Sequence, residues 1–175
     1  FRDRKGNIVH NQSETAIQDL NALPLPARDL LPIEKYTQTT FLSKKRCTNI
    51  MTSRGCPYYC VYCSTSEQWG HNIRHRSPAN VVDEIEYLLK TYPFLEGIRF
   101  FDDVFTMDKK RVLDICDEIN KRKLNFVWEC EARANTIDEE VVAAMKKAGC
   151  EFIDLGIESG SDKILKNIRK FITKD

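Results

Sequence analysis

The sequence has no apolar run long enough to cross a membrane, no recognisable secretory leader and no excess of either charge. A membrane-spanning helix needs about 20 predominantly apolar residues, and no segment of this chain approaches that length. The 27 Lys and Arg residues offset 26 Asp and Glu residues, which leaves a net charge of +1. We therefore expect no membrane span and no polyanionic partner, nucleic acid included.

Cysteine, in contrast, is abundant for a chain without a leader, with seven in 175 residues. Structural disulfides are rare in reducing compartments, so we expect a cytoplasmic protein with free thiols. Four cysteines stand alone in strand-like or helix-like segments, where a thiol usually packs as a small apolar side chain. These are Cys47, Cys116, Cys130 and Cys150. The chain begins at Phe1 rather than Met, so we expect a segment of a longer protein.

The other three cysteines, Cys56, Cys60 and Cys63, stand together in the stretch Arg-Gly-Cys-Pro-Tyr-Tyr-Cys-Val-Tyr-Cys. Iron–sulfur cubes normally take four cysteine ligands, so three would leave one iron open to a small molecule. Structural zinc takes four ligands, usually from two paired Cys-x2-Cys halves, and no second half follows here. A fourth ligand from His71 or His75 would support zinc, although a lone histidine near such a loop is more often a packing residue. The spacing favours an iron–sulfur cluster over a non-catalytic metal-binding module.

From residue 47 onward, strand-like and helix-like segments alternate four times. The predicted strands are 47–53, 97–101, 125–131 and 151–157. The helices between them begin at recognisable caps, namely Ser77 followed by proline, Asp108, a capping box at Thr136–Glu139, and Ser161. Such alternation predicts an α/β fold of right-handed βαβ units with a parallel sheet.

The first 40 residues differ from the remainder. Two short extended arms flank a turn at Lys5–Asn7, which predicts a β-hairpin. Three prolines within residues 24–32 remove hydrogen-bond donors and favour extended backbone. We expect residues 1–40 to form a hairpin and a semi-rigid strap that links an absent N-terminal domain to a core at 41–175.

The cysteine spacing resembles the signature of the radical S-adenosylmethionine (SAM) enzymes, Cys-x3-Cys-x-aromatic-Cys, with Tyr62 as the aromatic residue. In that family the open iron of a [4Fe–4S] cluster binds the amino and carboxylate groups of SAM. The reduced cluster cleaves SAM to a 5′-deoxyadenosyl radical, and the protein positions these cofactors. The resemblance implies an enzyme and an electron donor such as flavodoxin or ferredoxin. It also implies a (β/α)6 partial TIM-like barrel, of which this chain supplies the first four units.

Further site residues are expected where the predicted strands end, because parallel α/β sheets bind ligands at the carboxyl ends of their strands. Asp102 and Asp103 follow the second strand, where the family often has Gly-Gly-Glu, and either acid could hold the ammonium group of SAM. The resemblance makes Arg133, after the third strand, a clamp for a carboxylate. It also makes Glu158 and Ser159, after the fourth, partners of the SAM ribose or amino group. The alternatives are a helix cap for Asp103 and a surface salt bridge for Arg133.

Several stretches resemble cobalamin-binding radical SAM proteins in particular: the proline-rich strap, Ser64–Gly70, Asp102–Phe105 and Gly156–Ser161. That branch methylates unactivated carbons or closes rings. The resemblance implies a methylase or cyclase as the parent protein, with cobalamin bound outside this chain and little activity in the segment alone. A radical SAM methylthiotransferase acting on RNA or protein is the alternative, and it would carry a second cysteine triplet that this sequence lacks.

The fourth predicted strand would lie at an edge of the sheet, beside the apolar Phe152 and Leu155. The unpaired backbone groups of an exposed edge invite pairing with another strand. We expect residues 1–36 to cover this edge, or else two copies of the chain to associate through it as a homodimer.

Overall fold

The computed structural model describes residues 1–10, 16–36, 38–39 and 45–174. Its strands are β1 (Gln38–Thr39), β2 (Arg46–Ile50), β3 (Ser53–Arg54), β4 (Arg74–His75), β5 (Gly97–Phe100), β6 (Val127–Ala132) and β7 (Cys150–Leu155). Its α-helices are α1 (Thr65–Trp69), α2 (Pro78–Thr91), α3 (Lys109–Lys121), α4 (Glu139–Lys147) and α5 (Asp162–Asn167). Short 3-10 turns lie at Leu20–Ala22, Arg28–Leu30, Ile33–Lys35, Phe105–Met107 and Ala134–Thr136. None of the described helices is long and apolar enough to cross a membrane.

A five-stranded sheet in the order β1-β2-β5-β6-β7 organises the chain. Strands β2, β5, β6 and β7 run parallel, and β1 pairs with β2 in the antiparallel sense. Helices α2, α3 and α4 connect successive parallel strands, and α5 follows the last of them. The predicted α/β fold is therefore confirmed, with the first four βα units of a partial barrel.

The first parallel strand is shorter than its predicted range of 47–53. Strand β2 ends at Ile50, and β3 pairs instead with β4 as a separate antiparallel hairpin. The chain leaves the main sheet here because Thr52 and Ser53 both donate backbone hydrogen bonds to the carboxylate of Asp102, which lies beyond the end of β5. The cysteine triplet therefore lies between the two strands of this small hairpin rather than directly after a strand of the main sheet.

One face of the sheet packs against α2, α3 and α4 and forms the apolar core. Phe100, Phe105 and Trp128 meet there with ring centroids between 4.4 and 5.6 Å apart. The indole nitrogen of Trp128 donates to the carbonyl oxygen of Ala148 at 2.8 Å, so this large side chain is buried without an unpaired donor. The four isolated cysteines are buried as predicted, namely Cys47, Cys116, Cys130 and Cys150.

The opposite face of the sheet is polar. Asn49, Arg99 and Glu129 lie side by side on β2, β5 and β6, and Glu131 and Asp154 lie nearer the carboxyl ends of β6 and β7. Arg99 forms ion pairs with Glu129 at 3.5 Å and with Glu131 at 3.3 Å. Successive side chains of a strand alternate between its two faces, so the two glutamates of β6 lie opposite the apolar core.

The strap, residues 16–36, lies against α2 and the β3–β4 hairpin. The buried Arg28 side chain donates to Oε1 of Glu84 at 2.6 Å and to the carbonyl oxygen of Asn49 at 2.9 Å. Glu84 also forms an ion pair with Arg76, and both side chains are largely buried. These contacts lie on the β2 side of the sheet, whereas β7 forms the opposite edge. For the described residues, the expectation that the N-terminal segment covers the β7 edge is wrong.

The first ten residues form a compact turn. Arg2 and Ile8 make a single antiparallel bridge, and Oδ1 of Asp3 accepts a hydrogen bond from the backbone N of Asn7 at 2.9 Å. This bridge is the extent of the predicted hairpin among the described residues. The division of the chain into a linking segment at 1–40 and a core at 41–175 stays a prediction.

Candidate functional site

The cysteine loop, residues 55–64, connects β3 to α1 at the carboxyl end of the sheet. Gly55 has a left-handed φ of +100°, and a Cβ there would collide with the carbonyl oxygen of Asn72. Glycine is therefore required where the loop begins. The backbone N of Cys56 donates to the carbonyl oxygen of Gly70 at 3.2 Å, which ties the loop to the segment before β4.

All three cysteines of the triplet border one cavity of about 270 Å³. Cys56 and Cys60 are half-buried and Cys63 is exposed, and burial raises the pKa of the Cys56 thiol. Polar side chains from the other elements share the wall of this cavity. They are Tyr62, Asp103, Glu131, Arg133, Asp154, Glu158 and Lys170.

Three thiols around one cavity suit a cluster of several irons. A [4Fe–4S] cube is held by thiolates that bind separate irons. Within the described ranges, no three His, Cys, Asp or Glu side chains converge closely enough to hold a single metal ion. The donor set therefore fits the predicted cluster, and the charged wall beside it offers partners for a small molecule.

His71 does not border this cavity and packs against the cysteine loop instead. Its ring stacks on that of Tyr59 with centroids 3.9 Å apart, and its Nδ1 lies 3.2 Å from the carbonyl oxygen of Cys56. His75 lies within β4, where burial lowers the pKa of its ring. Both histidines thus occupy the packing positions expected of them rather than completing a zinc site.

The two adjacent acids after β5 lie in different surroundings. Asp102 is buried, and its carboxylate accepts hydrogen bonds from the backbone N of Thr52 (2.6 Å), from the hydroxyl of Thr52, and from Oγ of Ser53 (2.8 Å). Asp103 borders the cavity and accepts from Oγ1 of Thr65 at 3.0 Å, and burial raises the pKa of its carboxyl. Asp103 does not cap α3, because that cap is Asp108. Of the two acids, Asp103 is the one that can reach a ligand.

Arg133 is buried against the cysteine loop and is not part of a surface salt bridge. Its Nη1 donates to Sγ of Cys60 at 3.5 Å and its Nε to Oδ1 of Asn135 at 3.3 Å. Its Nη2 donates to the carbonyl oxygen of Lys170, and its guanidinium lies 3.6 Å from the ring centroid of Tyr58. The side chain therefore lines the cavity and donates three of its five N–H groups to protein atoms.

Glu158 and Lys170 form an ion pair in the cavity wall. Nζ of Lys170 lies 2.8 Å from Oε1 of Glu158 and 3.2 Å from the hydroxyl of Tyr62. The ammonium lowers the pKa of the Glu158 carboxyl, and burial together with Glu158 raises the pKa of Tyr62. Ser159 does not border the cavity, and its Oγ accepts a hydrogen bond from the backbone N of Ser161 at 3.1 Å.

Three charged residues of the cavity wall are not predicted from the sequence, namely Glu131, Asp154 and Lys170. Glu131 and Asp154 are paired across β6 and β7, and the polar alternation of β6 was the available signal for Glu131. Lys170 had no such signal, because a lysine just after a short helix usually extends into solvent. The backbone turns with positive φ at Arg169 and Phe171, and Lys170 is left only 5% exposed.

Comparison with known proteins places these features in a family. The family model described as the radical SAM superfamily matches residues 50–175. The chain is 40% identical over 168 residues to an uncharacterized methyltransferase of Pyrococcus horikoshii. This alignment covers 96% of the chain and 36% of the relative. It is 32% identical over 173 residues to the anaerobic magnesium-protoporphyrin IX monomethyl ester cyclase of Rubrivivax gelatinosus. This alignment covers 96% of the chain and 30% of the cyclase. The chain thus spans about a third of the length of these curated relatives.

A solved structure shares the fold. The cobalamin-dependent S-adenosylmethionine radical enzyme OxsB, with aqua-cobalamin and SAM bound, superimposes with a TM-score of 0.79 at 24% identity. The match covers 99% of this chain and 26% of the other. The family predicted from the cysteine spacing is confirmed, as is the expectation of methylases and cyclases among its relatives: the chain belongs to the radical SAM superfamily.

Proposed function

We propose that this chain holds a [4Fe–4S] cluster on Cys56, Cys60 and Cys63 and binds SAM in the adjoining cavity. The observation that carries the proposal is that the three thiols and a set of charged side chains border the same cavity. The methionine end of SAM bears an ammonium and a carboxylate, and this wall presents a buried lysine together with several carboxylates. When bound, the cluster supplies the electron for reductive cleavage of SAM.

Lys170 is the cation that we assign to the SAM carboxylate. Within the described chain, two of its three donors bind Glu158 and Tyr62, and the third is available to a ligand. Arg133, the clamp expected from the resemblance, already donates three of its five N–H groups to protein atoms, and its guanidinium stacks on Tyr58. Nearly full burial strengthens a charge-assisted hydrogen bond from Lys170, since little water competes for it.

Acidic groups of the wall complement the remaining polar groups of SAM. We assign Asp103 to the N–H groups of the SAM amino group, since it borders the cavity and one of its oxygens accepts only from Thr65 among the described residues. Glu158 is our candidate for the ribose hydroxyls, with its carboxylate held in place by Lys170. Asp102 and Ser159 bind protein groups instead of SAM. Asp102 accepts hydrogen bonds from Thr52 and Ser53. Oγ of Ser159 accepts one from the backbone N of Ser161.

Replacing Lys170 with Met is expected to weaken SAM binding by at least about tenfold, the effect of losing one charge-assisted hydrogen bond. Iron content is expected to stay unchanged, because Lys170 contacts no cysteine of the triplet through its ammonium. Anaerobic titration calorimetry and iron analysis measure the two quantities on the same reconstituted sample. Lys163→Met, on the exposed surface of α5, is the matched control. Joint loss of iron and SAM binding would indicate a folding role for Lys170 and contradict the assignment.

The parent protein, we propose, is a methylase or cyclase that uses cobalamin. This proposal is supported by the 40% identity to a methyltransferase and the 32% identity to a cyclase. The motifs that resemble cobalamin-binding radical SAM proteins support it as well. Residues 1–40 would link a cobalamin-binding domain to the core at 41–175.

Three further proposals concern the setting of the protein. Seven cysteines with no disulfide among them fit a reducing cytoplasm. Reductive cleavage of SAM needs an electron donor such as flavodoxin or ferredoxin. The described edge of β7 has one neighbouring strand, β6, and such an edge could pair two copies of the chain as a homodimer.

A further inference from the structure

Arg133 occupies a position between the cysteine loop and the segment that follows α5. Its guanidinium lies 3.6 Å above the ring of Tyr58 and donates to Sγ of Cys60 on one side. On the other side it donates to the carbonyl oxygen of Lys170. The side chain is 4% exposed, so its position is set by the protein rather than by solvent.

This geometry suits a residue that acts on the cluster ligands better than one that clamps a free carboxylate. A carboxylate clamp presents two parallel N–H groups of the guanidinium to the ligand. Here Nε, Nη1 and Nη2 each have a protein acceptor, namely Asn135, Cys60 and Lys170. Tyr58 covers one face of the guanidinium as well. Three of the five N–H groups of the guanidinium are thus already donated to protein acceptors, and a carboxylate that took any of these three would displace a buried contact.

We propose that Arg133 is a positioning residue that donates an N–H···S hydrogen bond to the cluster ligand Cys60 and thereby raises the reduction potential of the cluster. The inference rests on the proposed function, in which Cys60 is a ligand. A hydrogen bond to a ligand sulfur draws electron density from it, and hydrogen bonds to sulfur are among the factors that set cluster potentials. A buried positive charge adds to this effect, since reduction makes the cluster more negative and Arg133 lies in a site with little water to screen it.

The same side chain joins the two walls of the cavity. Besides the Arg133 contact with the Lys170 carbonyl, the backbone N of Val61 donates to the carbonyl oxygen of Ile168 at 3.2 Å. The cysteine loop and the segment that carries the Lys170 ammonium are thus held together at two points. Because Arg133 binds both Cys60 and the backbone of Lys170, it holds the cluster ligand and the proposed SAM partner at a fixed distance from each other.

The test is the midpoint potential of the reconstituted cluster, measured by anaerobic redox titration on the full chain. Arg133→Gln is expected to lower the potential, with iron per chain unchanged, because it removes both the charge and the close donor. Arg133→Lys keeps the charge but loses the planar fork and the stacking on Tyr58, so we expect an intermediate potential. Arg122→Gln removes one positive charge at the end of α3 and is expected to leave the potential at the wild-type value.

The outcomes separate this inference from the function on which it rests. A wild-type chain that takes up no cluster would overturn the proposed function itself. A cluster that forms normally and keeps its potential in Arg133→Gln would overturn the role of Arg133 alone. Should Arg133→Gln fail to retain iron, Arg133→Lys and Tyr58→Leu decide the matter, since the first removes the guanidinium and the second removes the ring on which it stacks. Wild-type potentials in both of these variants would contradict the proposal.

Discussion

Replacing Cys60 with Ser is expected to reduce the iron of the reconstituted chain from about four atoms to near zero, because two thiolates do not retain an exposed cube. The matched control is Cys116→Ala. The Cys116 thiol is fully buried, and burial raises its pKa to about 12, so it is an apolar packing group with no thiolate to offer. Iron and sulfide analysis after anaerobic reconstitution measures the difference.

The control variant also distinguishes the loss of an iron ligand from a general loss of stability. Cys116→Ala removes a buried thiol from the helix face that packs under the sheet and costs some stability. Cys60→Ser changes a half-buried loop residue and costs little. If stability alone decided iron content, Cys116→Ala would lose more iron than Cys60→Ser, and that order would contradict the assignment of the ligands.

Replacing Asp102 with Ala is expected to lower the free energy of unfolding by about 3 kcal/mol or more, since buried donors lose a charged acceptor. The carboxylate accepts from both the backbone and the side chains of Thr52 and Ser53. Oγ1 of Thr52 in turn accepts from Nη2 of Arg111 at 2.7 Å, so the loss reaches α3 as well. Urea denaturation of the cluster-free chain, followed by circular dichroism, gives the value.

Asp103→Ala is the matched comparison, one residue further along the chain. Asp103 is half-buried and makes one hydrogen bond, to Thr65, so its removal is expected to cost under about 1 kcal/mol of stability. It is expected to weaken SAM binding instead. Equal losses of stability from the two variants would contradict the division of roles between these neighbouring acids.

The part of the site that the sequence predicts is the part fixed by local spacing. The triplet at Cys56, Cys60 and Cys63 needs only a short loop. The carboxyl ends of the predicted strands locate Asp103, Arg133 and Glu158 in the cavity wall. Strand order follows from βαβ handedness with little freedom. These features depend on residues close together in the chain.

Features of the site that depend on contacts between residues far apart in the chain are not predicted from the sequence. Asp102 and Asp103 are equivalent as a sequence pattern, and only the packing of Thr52 against the end of β5 distinguishes them. The capping box predicted at Thr136–Glu139 places the start of α4 two residues too early. Asp138 caps this helix, and Thr136 lies in a 3-10 turn before it. Lys170 reaches the cavity through left-handed residues that no propensity predicts.

Electron paramagnetic resonance of the reduced, reconstituted chain with and without SAM tests the central claim most directly. The claim is that a cluster on three cysteines leaves one iron for SAM, which the cavity wall holds beside it. SAM is expected to change the g-values of the cluster signal in the wild-type chain and to do so in Lys170→Met only at a higher concentration. A four-iron signal that saturating SAM leaves unchanged in the wild-type chain would contradict the account.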